Sequence, residues 1–317
     1  EIYDSPQYVY FKETKKERTW NNYFNGQVHF VFTRIFISLG KGYSAARERW
    51  NTEIDIRPQR KEDSYSGSFL WQATKRTSLY LQYRKAKYQY EDLSYHKINF
   101  RNALNRREDR FSLTGYYKLS YRTNFVIDVR YGYFDFENPS NLRDAKSYSV
   151  YGGFEFSAFG TVRGKINVGY KYFNSLKPKE RDYKGIVGDS SLSIRLFKPL
   201  RVRGSYRRDI EFSTWYGHPY FVENRCGGGV SVYLFKDIRL DYDYNLGRNE
   251  YPERKQPGQA TVEKRRDDYG IHSVGIYFRI KRNIGFGVVA SRWTRDSSVD
   301  WLDGERDFIG ANLTYDF

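Results

Sequence analysis

The chain has 317 residues, 19% of them aromatic but only 39% hydrophobic, with 54 basic against 38 acidic residues and a net charge of +16. At a mean hydropathy of −0.81, a soluble fold of this length has too little apolar material for a core. No apolar run reaches the roughly eighteen residues of a membrane helix, which leaves alternating strands as the way such a chain could cross a bilayer.

The single cysteine, Cys226, excludes an internal disulfide, and the absence of Met with only 4 His speaks against a soft-metal or haem site. No cofactor is expected. In a soluble protein the basic surplus would suggest nucleic acid. On a barrel it would line lumen and loops and favour anionic solutes or polymers. The chain opening at Glu1 reads as a mature form whose export signal has been removed, with residues 1–317 as one barrel domain.

In chain order, the apolar residues recur at every second position. Phe24, Val28, Phe30 and Phe32 oppose Asn25, Gln27 and His29. Leu79, Leu81 and Tyr83 oppose Ser78, Gln82 and Arg84. Phe125, Ile127, Val129 and Tyr131 oppose Asn124, Asp128 and Arg130, and Val162, Ile166, Val168 and Tyr170 oppose Arg163, Lys165, Asn167 and Lys171. Leu200, Val202 and Tyr206 oppose Arg201, Arg203, Arg207 and Asp209, and Ile238, Leu240 and Tyr242 oppose Arg239, Asp241 and Asp243. Period two makes each stretch a strand with one apolar and one polar face. The polar face is too charged for a dry core, because unpaired buried ions cost several kcal/mol. Lipid outside and water inside satisfies both faces.

Short turns separate these stretches at Thr33-Arg34, Lys75-Arg76, Tyr121-Arg122, Phe159-Gly160, Lys198-Pro199, Lys236-Asp237 and Lys281-Arg282. They recur every 38 to 46 residues, the length of one strand up, a loop and one strand down. Longer polar connections lie between them, near 14–19, 47–61, 91–107, 137–144, 175–182, 214–221, 249–266 and 297–304. The predicted fold is therefore all-β: a single transmembrane antiparallel up-and-down β-barrel of about sixteen strands, with short periplasmic turns and longer extracellular loops. A soluble sandwich or propeller is the alternative, but strands of about twelve residues are too long for it and suit a tilted bilayer crossing. At the end of the chain Ile309, Ala311, Leu313, Tyr315 and Phe317 share a face. This looks like the closing strand of a bacterial outer-membrane barrel, and that likeness implies that Tyr315 and Phe317 are the signal read by the barrel assembly machinery.

The inward face predicts the candidate site. Its basic set is Arg130, Arg163, Lys165, Lys171, Arg195, Arg201, Arg203, Arg207 and Arg239, interleaved with Asp128, Glu155, Asp189, Asp209, Glu211, Asp241 and Asp243. Opposed charges wet a pore, and a basic surplus lowers the barrier for anions. A ladder of pairs that merely stiffens the wall is the plainer reading of the same residues. Acid-base pairs also open the returning strands: Arg143-Asp144, Arg181-Asp182, Arg266-Asp267 and Arg306-Asp307, with Arg107-Glu108-Asp109 and Lys61-Glu62-Asp63 as variants. The favoured reading is a ring of ion pairs that sets register at the outer rim; contact with lipopolysaccharide phosphates or an exported polyanion is the other. The loops Trp50–Arg60 and Tyr95–Arg106 could fold inward and narrow the pore, but plain surface loops are favoured. Gly227-Gly228-Gly229 falls in a strand, where small residues relieve crowding. His29, His96, His218 and His272 have no nucleophile partner at a fixed spacing, so no catalytic residues are expected and the chain is not read as an enzyme.

From about residue 60 onward the chain resembles a family of outer-membrane β-barrel porins, the beta-barrel porin 2 type, found in exopolysaccharide gene clusters. The resemblance rests on Asp182-Tyr183-Lys184-Gly185, Ser191-Leu192-Ser193-Ile194 and Leu196-Phe197-Lys198-Pro199-Leu200, and on Arg266-Asp267-Asp268-Tyr269 through Trp301 to Phe317. It implies polysaccharide secretion with a periplasmic export partner. The expectation is an open, water-filled barrel in the bacterial outer membrane that passes an acidic exopolysaccharide. Its surroundings would be outer-membrane lipid and lipopolysaccharide, with no nucleic acid. A general porin for small anions and a barrel sheathing a periplasmic cytochrome are the rival functions.

Overall fold

The computed structural model describes residues 1–10, 15, 18–49, 51–54, 56–95, 98–158, 160–177, 182–215, 218–252, 254–255, 262–263 and 265–315. Strands β1 (Ile2–Val9), β2 (Thr19–Val31), β3 (Ile35–Arg47), β4 (Gln59–Trp71) and β5 (Thr77–Tyr90) are followed by the two-residue strands β6 (Ser94–Tyr95) and β7 (Ile98–Asn99). Helix α1 (Phe100–Leu104) leads into β8 (Arg106–Ser120), β9 (Thr123–Phe136), β10 (Ala145–Ala158), β11 (Val162–Ser175), β12 (Tyr183–Phe197), β13 (Leu200–Phe212), β14 (Tyr220–Leu234) and β15 (Ile238–Glu250). Short strands β16 (Arg254–Lys255) and β17 (Val262–Glu263) precede β18 (Arg266–Lys281), β19 (Ile284–Ser297) and β20 (Gly304–Tyr315).

Sixteen of these strands form one antiparallel up-and-down sheet in chain order, with β6-β7 and β16-β17 as separate two-stranded pieces. Among the described residues no ladder joins β1 to β20, so the sheet keeps two edges. No helix is long and apolar enough to cross a membrane. The tight turns fall where the basic dipeptides stand in the sequence. Gly160 (φ 68°) and Phe235 (φ 59°) adopt left-handed backbone in two of them, which the chain reversal demands.

Which face is concave follows from ring contacts. Phe134 on β9 packs 5.0 Å from Phe212 on β13 and 6.4 Å from Phe173 on β11, centroid to centroid. Strands β9 and β13 are four ladders apart, so these rings can meet only across the inside of a curled sheet. Asp128 and Arg130 share the parity of Phe134 and point the same way. Asp128 is 7% exposed, while Ile127 and Val129 on either side are 48% and 45% exposed. A continuous outer surface of this kind, with Leu79, Leu113, Val150, Ile166, Val168 and Val274 all exposed, is stable against hydrocarbon and not against water.

The acids that open the returning strands act on backbone. Asp144 Oδ1 accepts from Phe136 N at 2.9 Å, Asp182 Oδ1 from Ser175 N at 3.0 Å, and Asp303 Oδ1 from Ser297 N at 2.7 Å. Asn105 and Asn21 do the same for Tyr90 N and Arg47 N. Each closes the end of a hairpin by satisfying a donor that the ladder leaves unpaired. The acids of the expected rim of ion pairs thus also set register by accepting N–H bonds, and Asp144 pairs in addition with Lys177 at 2.8 Å. Arg143 turns inward and donates to Ser213 O and Trp215 O at 2.7 and 2.8 Å, and Arg181 lies outside the described residues.

Candidate functional site

Strand register carries the inward assignment around the wall. Asp128 stands opposite Tyr151 and Arg130 opposite Ser149, Glu155 opposite Lys165, and Asn167 opposite Asp189. Asp189 meets Arg207, Ser193 meets Arg203, and Arg195 meets Arg201. Across β14, Gly229 lies between Arg203 and Asp243, Ser231 between Arg201 and Asp241, and Tyr233 opposite Arg239. Lys171, Arg163 and Asp209 fall in the same alternation. All of the predicted lumen residues thus share the concave face. The side chain of Tyr315 and the residue Phe317 lie outside the described residues.

Many of these charges pair with one another. Lys171 reaches Asp209 at 2.5 Å, Arg130 holds Asp128 at 2.6 Å, Arg207 meets Glu211 at 2.5 Å, and Arg239 meets Asp241 at 3.0 Å. Lys165 and Asp189 are 3.5 Å apart. Arg203 reaches Asp243 at 2.8 Å by crossing over β14 at Gly229. A Cβ on Gly229 would lie 2.1 Å from Asp243 Oδ1, so the glycine makes room for an ion pair that staples alternate strands. Arg163, Arg195 and Glu155 have no hydrogen bond or ion pair among the described residues. Among the described residues Arg201 has only the Tyr233 ring, 5.8 Å away. The lumen is therefore a paired ladder with cations left over on β11, β12 and β13.

The long-loop end is built differently. Residues 51–54 and 56–58 do not lie on the surface: they form a strap across the mouth. On one side Ile54 packs with Ala86, Tyr88, Tyr90, Phe100 and Leu104. On the other, Glu53 is fully buried and its carboxylate accepts from Ser213 Oγ at 2.5 Å, Thr214 N at 2.6 Å and Thr214 Oγ1 at 2.7 Å. Asn249 Nδ2 donates to Thr52 Oγ1 at 3.0 Å, and Arg295 donates to the Thr52 and Glu53 carbonyls. Three consecutive residues thus touch β5 and the ends of β13, β15 and β19, which stand far apart in the wall. At the root of the strap Arg47 forks onto Glu91 with two bonds of 2.7 Å, and Arg57 donates back to Arg47 O at 2.6 Å. Trp50 and Asp55 lie outside the described residues.

The second loop also turns in, although His96 is outside the described residues. Helix α1 is capped by Asn99, whose side chain accepts from Asn102 N, and it buries Phe100 and Leu104 completely. Asn141 donates to the α1 carbonyls of Asn102 and Ala103 at 3.0 and 2.9 Å. Beneath it the buried Arg106 pairs with Glu108 at 2.7 Å and lies over Tyr88 at 4.4 Å, with Phe212 of β13 only 5.7 Å away. The expectation of surface loops and an open mouth is corrected here. The physical reason is that Ile54, Phe100 and Leu104 are apolar residues beyond the reach of lipid, and each other's company is what removes them from water. That combination, apolar side chains within a polar loop, is the signal by which sequence reasoning could have found the strap.

Next to the strap, Arg265 pairs with Asp267 at 2.5 Å and sits 3.8 Å from Glu53. Tyr251 donates to Asp267 at 3.1 Å. Burial and then the nearby Glu53 carboxylate hold the Tyr251 phenol well above its ordinary pKa, so it stays a donor at every physiological pH. Burial opposes the charge on Arg265, but Tyr251, Asp267 and Glu53 together outweigh it and raise its pKa. The outer end is thus closed by a network of buried polar groups, most of them paired, although Asn249 Oδ1 and Trp215 Nε1 have no hydrogen-bond partner among the described residues, while the opposite end carries only tight turns.

A sequence model of the family described as putative beta-barrel porin 2 matches residues 72–317. No curated protein matches the chain. Among solved structures the chain is similar to the FrpB iron transporter of Neisseria meningitidis, with a TM-score of 0.56 and 8% identity over 88% of this chain and 52% of that one. It is similar to FpvA of P. aeruginosa bound to a heterologous pyoverdine and iron, with a TM-score of 0.57 and 9% identity over 94% and 52%. It is also similar to the alcaligin outer-membrane receptor FauA of Bordetella pertussis, with a TM-score of 0.52 and 12% identity over 94% and 57%. The chain spans about half the length of these structures. Identities this low speak to the barrel wall alone.

Proposed function

Because the chain belongs to the putative beta-barrel porin 2 family and has the wall of an outer-membrane barrel, it is an outer-membrane channel, and we propose that its cargo is an anionic exopolysaccharide moving outward. The observation that supports this reading is the asymmetry along the channel. On the long-loop side, which outer-membrane barrels turn to the exterior, the strap at Glu53 and helix α1 close the mouth with buried polar contacts. On the turn side a cavity of about 760 Å³ opens among serines, glycines and cations. A channel sealed outside and accessible inside suits a cargo that arrives from the periplasm. The surplus cations suit a negative one.

In this reading a periplasmic export protein delivers the polymer and an inner-membrane partner supplies the driving force. Outer-membrane lipid and lipopolysaccharide surround the wall, the assembly machinery inserts it, and the barrel carries out no chemistry itself. Deletion of the gene followed by assay of surface polysaccharide tests the proposal: secretion at the parental level would end it. A general porin for small anions is the second reading, favoured by Arg163 and Arg195, which have no ion pair among the described residues. It calls for steady anion-selective conductance in planar bilayers and unchanged secretion on deletion.

A further inference from the structure

We propose that the turn-side half of the lumen holds a binding site for a single acidic sugar unit, with its carboxylate between Arg122 and Arg163 and its hydroxyls on the facing serine and asparagine side chains. The proposal deepens the export reading and takes the source of its ligand from it, but the binding itself can be tested alone.

The cavity of about 760 Å³ at this height is bounded by β9 to β15 and the Tyr121-Arg122 turn. It has room for more than one sugar ring, because small residues form its floor. At Gly227 a Cβ would meet Asn245 Oδ1 at 2.4 Å and Ser205 Oγ at 2.8 Å, so any larger residue would fill the space that those two polar atoms face. Four cations line the cavity, Arg122, Arg163, Lys165 and Arg203, against two acids, Glu155 and Asp243. Arg203 is committed to Asp243 and Lys165 to Asp189. Arg163 has no hydrogen bond or ion pair among the described residues, and the guanidinium of Arg122 only lies 5.9 Å from the Tyr121 ring. The two uncommitted guanidinium groups offer forked donors suited to a carboxylate.

The neutral groups point the same way. The side chains of Ser193, Ser205, Asn124 and Asn245 line the cavity and make no hydrogen bond among the described residues. At the strapped end the corresponding groups are spent: Ser213, Thr214, Asn141 and Asn249 all bond to protein. Uncommitted hydroxyls and amides beside uncommitted guanidiniums match a ring that carries several hydroxyls and one negative charge.

The test uses the full chain in a planar bilayer, with oligogalacturonate as the acidic probe and a malto-oligosaccharide of equal length as the neutral one. Oligogalacturonate added on the turn side should block the ion current at lower concentration than the neutral probe. Arg163→Gln and Arg122→Gln should each weaken that block about tenfold, the loss expected for one charge-assisted hydrogen bond. Ser193→Ala and Asn245→Ala should weaken it less, and Arg34→Gln on a distant turn should leave it unchanged. Equal block by the neutral probe, an unaltered block in Arg163→Gln, or displacement by millimolar inorganic phosphate as effective as by the sugar would each overturn the proposal. If block behaves as expected but deletion leaves secretion intact, the site stands and the export reading falls.

Discussion

Replacing Glu53 by Ala should loosen the strap while leaving the wall intact. The carboxylate accepts three hydrogen bonds, from Ser213 Oγ, Thr214 N and Thr214 Oγ1, at 2.5 to 2.7 Å. Bonds to a charged group contribute about 1.5–3 kcal/mol each, and they are not additive when the donors are adjacent in the chain. A net loss of about 4 kcal/mol is therefore expected. That shifts the ratio of strapped to released mouth by about a thousandfold, at one tenfold step per roughly 1.4 kcal/mol. The bonds from the Arg295 guanidinium to the Thr52 and Glu53 carbonyls and the Thr52–Asn249 contact remain, so the segment is loosened rather than freed. Glu53→Gln keeps the shape and one good acceptor and should cost less, about 1–2 kcal/mol. The readout is single-channel recording, with the heat-modifiable gel shift of a folded barrel as the control. More frequent and larger openings are expected in the order wild type, Glu53→Gln, Glu53→Ala. Wild-type conductance and gating in a folded Glu53→Ala barrel would refute the assignment of the strap as the outer barrier.

Other perturbations address the lumen, the wall and the seam. Reversing Arg201, Arg203 and Arg207 to Glu removes three inward cations, and the reversal potential in a salt gradient should move toward cation selectivity; an unmoved potential would mean that these residues only stiffen the wall. Gly229→Ala places a Cβ 2.1 Å from Asp243 Oδ1 and should cost about 1–3 kcal/mol in a urea titration. Gly152→Ala is its control, because nothing lies within 4 Å of a Cβ there; equal midpoints would discount the Arg203–Asp243 staple. Val168→Arg, on the outer face, should destabilise the barrel by about 2–4 kcal/mol if it sits near the bilayer midplane, and a neutral result would contradict lipid contact. The edges of β1 and β20 cannot stay unpaired in hydrocarbon, where each open N–H or C=O costs several kcal/mol. In a Cys226→Ser background, Gln7→Cys should therefore cross-link to one position in a cysteine scan of residues 305–313. Failure at every position would show that these two edges do not meet.

The sequence and the structure agree wherever a rule acts between neighbours. A pleated strand must alternate, so Ile127-Asp128-Val129 shows two opposite faces before any coordinates exist, and the basic turns are legible because a hairpin has to reverse within a few residues. The lumen residues follow from the same parity once one face is known to be wet. Pairing is less legible: Asp243 could have been matched with Lys or Arg on either adjacent strand, but its partner is Arg203, two strands away across a glycine. The strap escapes this kind of reading altogether. Glu53 meets Thr214 across 161 residues and Arg295 across 242, and no period connects them. Even so, Thr52-Glu53-Ile54 carries a local contradiction. A solvated turn has no use for isoleucines at 54 and 56, and a lipid-facing segment cannot hold a carboxylate. A charge set among apolar side chains must be covered and paired at once. Because the strands between the two edges of the sheet are already paired on both sides, the groups able to do that are other loop residues on the far side of the mouth.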